Sequence, residues 1–191
     1  ILFLCALMLS TSFLFAQQAQ QTKANLQLIR NATLVIDYAG QKIVVDPMLS
    51  AKGAIASWAG LQTNPTVDLT MPIPEIVDDI DLVLVTHLHE DHFDQAASTH
   101  LAKSVPLLNQ PGDTAFFASK GFINARVLMD SILWNGIHIS RTQAQHGSGE
   151  VLNMMGNTSG FVLQAKGMPT IYIIGDGIWT AEVEKNILKF D

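Results

Sequence analysis

Asp81-Leu82-Val83-Leu84-Val85-Thr86-His87-Leu88-His89-Glu90-Asp91-His92 is the stretch on which the fold and the chemistry of this 191-residue chain turn. Its first part, Asp81 to Val85, is a short apolar run of the kind that forms a strand buried on both faces. Its second part, His87 to His92, gathers three histidines and an aspartate where the chain would leave the sheet and side chains can converge. Alternation keeps His87 and His89 on one side, and a bend into a helix can bring Asp91 and His92 to a neighbouring position. Imidazole nitrogen and carboxylate oxygen are the donors that zinc and similar divalent ions take, and catalytic sites leave one position open for water. The competing reading is a chance polar cluster in a surface loop. Three histidines and an aspartate directly after an apolar strand weigh against it, and a metal site is expected.

Upstream, Leu26 to Ile29, Thr33 to Tyr38 and Lys42 to Val45 read as strands, with Ala39-Gly40-Gln41 as the turn between the last two. Asp46-Pro47 ends this hairpin-rich opening, because proline has no N–H for a ladder and restricts the residue before it. Met48 to Pro74 has little periodicity and reads as a long irregular segment, a length that is uncommon unless functional. Downstream, Asp91 to Lys103 is expected to be helical, with Phe93, Ala96, Ala97 and Leu101 on one face and Asp91 and Asp94 near the positive helix start. Val105 to Leu108 reads as a strand and Gly112 to Lys120 as a short helix. Arg126 to Met129, Gly136 to Ser140, Gly160 to Ala165 and Thr170 to Ile174 read as further strands. A last helix, Thr180 to Lys189, is expected with Val183, Ile187 and Leu188 inward. Strands alternating with helices indicate an α/β layered fold.

The His87-x-His89-x-Asp91-His92 pattern after a strand and before a helix resembles the mark of the metallo-β-lactamase superfamily. The resemblance implies an αββα sandwich with a one- or two-metal site at the sheet edge, a third histidine further on and a bridging aspartate after a later strand. His146, in Gln145-His146-Gly147-Ser148-Gly149, and Asp176, in Ile174-Gly175-Asp176-Gly177, fit those descriptions. By this carry-over His87, His89 and His146 hold a first metal, while Asp91, His92 and Asp176 belong to a second, with Asp176 shared. His138 competes with His146, but between Ile137 and Ile139 it reads as the solvent-facing position of an alternating strand. His100 reads as a surface residue and Asp94 as a helix-terminus residue. The superfamily's final second-metal histidine has no counterpart after His146, so the domain, 23–191, is expected to be truncated at its C-terminus. The opening hairpin into Val44-Val45-Asp46-Pro47 and the His146 and Asp176 regions resemble the lactonase-like branch that includes ascorbate-6-phosphate lactonase.

Composition narrows the rest. Hydrophobic residues make up 48% of the chain, enough for one sizeable core. The net charge of -6, with 15% charged residues, supplies no basic surface for nucleic acid. Ile1 to Ala16 is apolar and uncharged, shorter than a membrane span of about 20 residues, and suits the h-region of a signal peptide with its start clipped. Export to the periplasm or exterior is therefore expected, with residues 1–22 as signal and polar joint and no membrane attachment after cleavage. An uncleaved anchor or a buried apolar segment is the alternative. Cys5, the single cysteine, lies in that segment and leaves the mature chain without thiols. A lipid-anchored cysteine would want a small residue in place of Leu4.

These readings converge on a hydrolase that uses metal-activated water on a small molecule. Asp91 is the candidate catalytic base, an ester or lactone ranks first as substrate, and a phosphodiester second. A metal-binding protein of the same fold without turnover is the alternative. Zinc suits the donor set best, and manganese and iron fit the same ligands. Trp58, Trp134 and Trp179 can line a pocket or, more simply, fill core positions.

Overall fold

The computed structural model describes residues 23–57 and 60–191; the expected signal segment with Cys5, and Trp58, lie outside the described residues. Three antiparallel strands come first, β1 (Asn25–Arg30), β2 (Thr33–Tyr38) and β3 (Gln41–Val45). After the irregular segment and a one-turn helix α1 (Ile73–Val77), β4 (Leu82–Val85) joins β3 in parallel. Helix α2 (Gln95–His100), β5 (Leu107–Asn109), α3 (Thr114–Ser119) and β6 (Ala125–Val127) complete a six-stranded sheet of order β1-β2-β3-β4-β5-β6. The second sheet is antiparallel, built from β7 (Ser131–Trp134), β8 (Ile137–Gln145), β9 (Asn157–Ala165) and β10 (Ile171–Ile173) in the order β10-β9-β8-β7. Helix α4 (Glu150–Met155) links β8 to β9, and α5 (Ala181–Phe190) follows β10.

Alternation along the central strands divides the core into two layers. Val83 and Val85 of β4, with Val44 of β3, face Ile76, Phe93, Ala97 and Phe117 of the helical side. Leu82 and Leu84, with Ile43 and Val45, face Ile137, Ile139, Phe161 and Leu163 of the other sheet. Strand β4 is thus buried on both faces, which is why its sequence is a continuous apolar run. On the outer face of the second sheet, Asn186 and the Phe190 carbonyl of α5 hydrogen-bond Tyr172 and Gln164. The layers are α, β, β and α, the expected sandwich.

Several expected elements have different bounds. The helix expected from Asp91 to Lys103 is only α2, because Asp94 caps it by accepting the Ala97 N–H at 2.7 Å. Before that cap, the His92 and Phe93 N–H groups both donate to the His89 carbonyl, so the motif closes as a turn. On α5 the expected inward face is corrected. Val183 and Asn186 are buried, whereas Ile187 is 40% and Leu188 81% exposed. Leu188 lies five residues on from Val183 and so about 140° around the helix, away from the sheet. Elements α1, β7 and α4 were not expected from sequence.

Candidate metal centre

Parallel strands β3, β4 and β5 end on one side of the sheet, and the motif leaves β4 there, at the edge where ligands commonly bind in α/β folds. The Thr86 carbonyl accepts the Ser159 N–H from β9 at 3.1 Å, so the two sheets are tied together directly beneath the histidines. Gly175 brings the second sheet's contribution in. It has a φ of +71°, and a Cβ there would meet the Ser159 carbonyl oxygen at 2.7 Å and the Thr86 Cβ at 3.2 Å. Only glycine fits that approach, and Asp176 follows it into the site. Gly147, with a φ of +85°, turns the chain after His146; a Cβ there would meet Val151 Cγ1 at 2.6 Å.

The sequence-expected residues come together in two groups. His87, His89 and His146 offer three ligand atoms within 4.8 Å of one another, and so do His87, His92 and Asp176. Asp176 reaches both groups, with Oδ1 3.1 Å from His92 Nε2 and Oδ2 3.3 Å from His146 Nε2. The His87 ring lies 4.3 Å from that of His89 and 4.1 Å from that of His92, centroid to centroid. Asp91 lines the cleft beside His89 and His146 but belongs to neither three-ligand group. His138 is exposed on β8 and His100 is exposed at the end of α2, both apart from the site. Trp134 packs against the inter-sheet core, and Trp179 is exposed, donating to Glu184 Oε1 at 2.8 Å.

Asp46 holds the centre from behind, a role that its sequence context at a strand end did not disclose. It is 1% exposed and accepts the Thr86 N–H at Oδ1 and the Thr86 hydroxyl at Oδ2, both at 2.7 Å. His92 Nδ1 lies 2.8 Å from the same Oδ2. A carboxylate only accepts, so Nδ1 carries a proton there and Nε2 is left to face Asp176. The tautomer of His87 follows by the same reasoning. The one proton of the Thr86 hydroxyl goes to Asp46, so Thr86 Oγ1 accepts from His87 Nδ1, 3.1 Å away. His87 Nε2 then presents a bare lone pair.

Electrostatics set the two histidines apart: His87 is neutral, whereas His92 carries a proton on Nε2 toward Asp176 as well as on Nδ1, one that a metal at that group would displace. Burial, helped by the neighbouring His92 and His89, lowers His87 to about 3, so it is neutral and ready to ligate. Burial alone would also lower His92, but its hydrogen bonds to Asp176 and Asp46 outweigh that and raise it to about 10. Burial raises the Asp46 carboxyl, with its bonds from His92 and Thr86 acting in opposition. The hydrogen bond from His92 holds Asp176 below the ordinary carboxylate range, and burial lowers His146.

Whether these residues fit a metal is answered by two atoms. His87 Nε2 and His146 Nε2 are buried and make no hydrogen bond, the latter although Asp176 Oδ2 lies 3.3 Å away. A buried polar atom without a partner costs about 1–3 kcal/mol, and two of them converging on one point need a shared electrophile. Imidazoles of His87, His89 and His146 with the Asp176 carboxylate are a donor set for a divalent cation, and His92 with Asp176 can support a second.

Known proteins share this architecture. Residues 25–191 match the family model described as Beta-lactamase superfamily domain. The chain is 38% identical over 169 residues to the UPF0173 protein YddR of Bacillus subtilis, covering 85% of this chain and 66% of that protein, just under two thirds of its length. A crystal structure described as a possible metal-dependent hydrolase from Veillonella parvula aligns with a TM-score of 0.83 at 33% identity, covering 87% of this chain and 68% of that one. The isothiocyanate hydrolase from Delia radicum gut bacteria aligns with a TM-score of 0.81 at 38% identity, over 86% of this chain and 67% of that one. Fold, motif and family match agree: this chain belongs to the beta-lactamase superfamily and has the metallo-β-lactamase fold.

Proposed function

We propose that the chain is a metal-dependent hydrolase of small organic molecules that directs water onto an electrophilic carbon. The observation that carries this reading is the buried Nε2 of His87, which makes no hydrogen bond and converges with His146 and Asp176 beside a cleft that His89, His146 and Asp176 line. A divalent ion in such a site makes water nucleophilic at neutral pH, lowering its pKa to about 7, and acts as a Lewis acid. The protein's part is to hold that chemistry in register. Thr86 and Asp46 fix the ring orientations of His87 and His92. Asp91, on the cleft wall beside the ligands, is assigned as the base that orients the attacking water and takes its proton. Zinc is the proposed metal, with manganese and iron as the other ions the donors accept. Export is part of the same proposal and rests on the apolar, uncharged run Ile1 to Ala16.

An ester or lactone carbonyl is one electrophile that suits this geometry. A second reading is favoured by the 38% identity and 0.81 TM-score to an isothiocyanate hydrolase. Addition of one water across the C=N bond of R–N=C=S gives a monothiocarbamate, whose C–N bond then breaks to release R–NH₂ and COS. Both readings place water on a carbon activated by the same centre. The test is metal content per chain, measured with turnover on a panel of aryl esters, lactones and isothiocyanates. Wild type should hold metal and hydrolyse at least one class, and His87→Ala should lose both. Metal bound with no turnover on any of them would favour a binding protein of the same fold. Full turnover by metal-free protein would overturn the proposal.

A further inference from the structure

The cleft over the metal centre has a volume of about 580 Å³ and a lining of two kinds, polar and apolar. Ser57, Gln62, Asn64 and Thr66 of the irregular segment form a polar, uncharged side. Leu88, Met154 and Met155 contribute apolar lining, and so does Ile55 of the irregular segment, which is bridged to Asn64. Helix α4, which carries the two methionines, has no buried residue of its own, and Met154 is 61% exposed. A short helix that packs nothing into the core and turns two adaptable thioethers toward a cleft is placed to meet a ligand, since methionine conforms to varied apolar shapes.

The charge pattern is as informative as the shape. Among the described residues that line this cleft there is no lysine or arginine. Besides the expected metal ligands His89, Asp91, His146 and Asp176, its charged member is Glu90, which is acidic and solvent-exposed. A phosphate or carboxylate carried on the part of a substrate that lies away from the metal centre would meet the Glu90 charge and find no cationic side chain to hold it.

We infer that the cleft selects uncharged electrophiles whose apolar tail lies on Leu88, Met154 and Met155, and that it discriminates against phosphorylated and carboxylated compounds. The inference rests on the hydrolase reading only for its choice of substrate, because the selectivity is a property of binding. It separates this site from lactones and esters that carry a phosphate or carboxylate away from the reacting carbon.

The test uses metal-loaded protein and two probes that are not hydrolysed: a phenylalkyl hydroxamate and the same compound bearing a terminal carboxylate. Titration calorimetry should show the neutral probe binding at least about tenfold more tightly. Met154→Lys, at an exposed position, should reverse or erase that preference, and Met155→Lys provides a second variant. Equal or tighter binding of the carboxylated probe by wild type, or no measurable binding of the neutral one, overturns the inference. A neutral preference without turnover on any electrophile would sustain the selectivity and sink the hydrolase reading. Turnover of neutral and anionic esters at equal kcat/KM would do the opposite.

Discussion

His92 Nδ1 and Asp46 Oδ2 lie 2.8 Å apart across 46 residues of sequence, joining the end of β3 to the histidine motif after β4. The contact fixes which nitrogen of His92 faces Asp176, and through Thr86 it fixes His87 as well. Asp46→Asn should disrupt both. An amide offers one acceptor oxygen and one donor nitrogen where three donors now converge, so a donor would face a donor. Metal affinity at the His92–Asp176 group should fall by about 10–100-fold and stability by about 1–3 kcal/mol. Chelator competition and denaturant unfolding measure the two effects. Unchanged affinity would show that Asp46 does not orient the ligands.

Gly175 is the point at which the second sheet delivers Asp176. Gly175→Ala would put a methyl 2.7 Å from the Ser159 carbonyl oxygen at a φ of +71°. The backbone must shift, at a cost above about 1 kcal/mol. Because Asp176 is the next residue, metal stoichiometry should fall along with stability. A lowered Tm with full metal content would mean that the strain is absorbed elsewhere.

Arg30 at the end of β1 anchors the irregular segment that forms the polar side of the cleft. Its guanidinium donates to the carbonyls of Met48 at 2.8 Å, Ser50 at 2.6 Å and Val67 at 3.3 Å. Asp94 accepts the Ser50 N–H at 2.7 Å and holds the same segment from α2. Arg30→Met keeps much of the apolar stem and removes the bonds. Stability should drop by about 1.5–3 kcal/mol, and KM should rise more than kcat falls, because the wall moves while the ligands stay. An equal fall in kcat with KM unchanged would contradict that division of roles.

The strand at Leu82–Val85 and the ligands after it were legible because burial on both faces writes a continuous apolar run, and metal donors cluster in sequence as well as in space. Asp46 was legible only as a strand end, since its partners Thr86 and His92 lie 40 and 46 residues away and nothing local marks the pairing. Helix α4 buries no residue and so leaves no apolar periodicity to detect. In β7 the outward Leu133 is 72% exposed, which blurs the alternation that would have announced a strand. Leu188 misled in the same way on α5, an apolar residue on the solvent side.

Tyr38 gives a pH-dependent prediction away from the metal centre. Its hydroxyl lies in the core between the sheets, 2.9 Å from the Pro169 carbonyl and 3.2 Å from that of Leu163, and joins β2 to the second sheet. Facing two carbonyls, it can only donate, so the neutral phenol is required, and burial raises its pKa above the ordinary 10.0. With the folded value above the unfolded one, the stabilisation is fully present below about pH 10 and is lost as pH rises beyond it. Tyr38→Phe removes both the bonds and the titration. Wild type should exceed the variant by about 1 kcal/mol at pH 7. Above about pH 10 that margin should shrink, by at most about 1.4 kcal/mol per pH unit, as the unfolded chain's phenol ionises before the buried one. Denaturant unfolding of both proteins from pH 7 to 11.5 measures the margin directly, and a constant difference across that range would show that Tyr38 ionises in the fold as readily as in the unfolded chain.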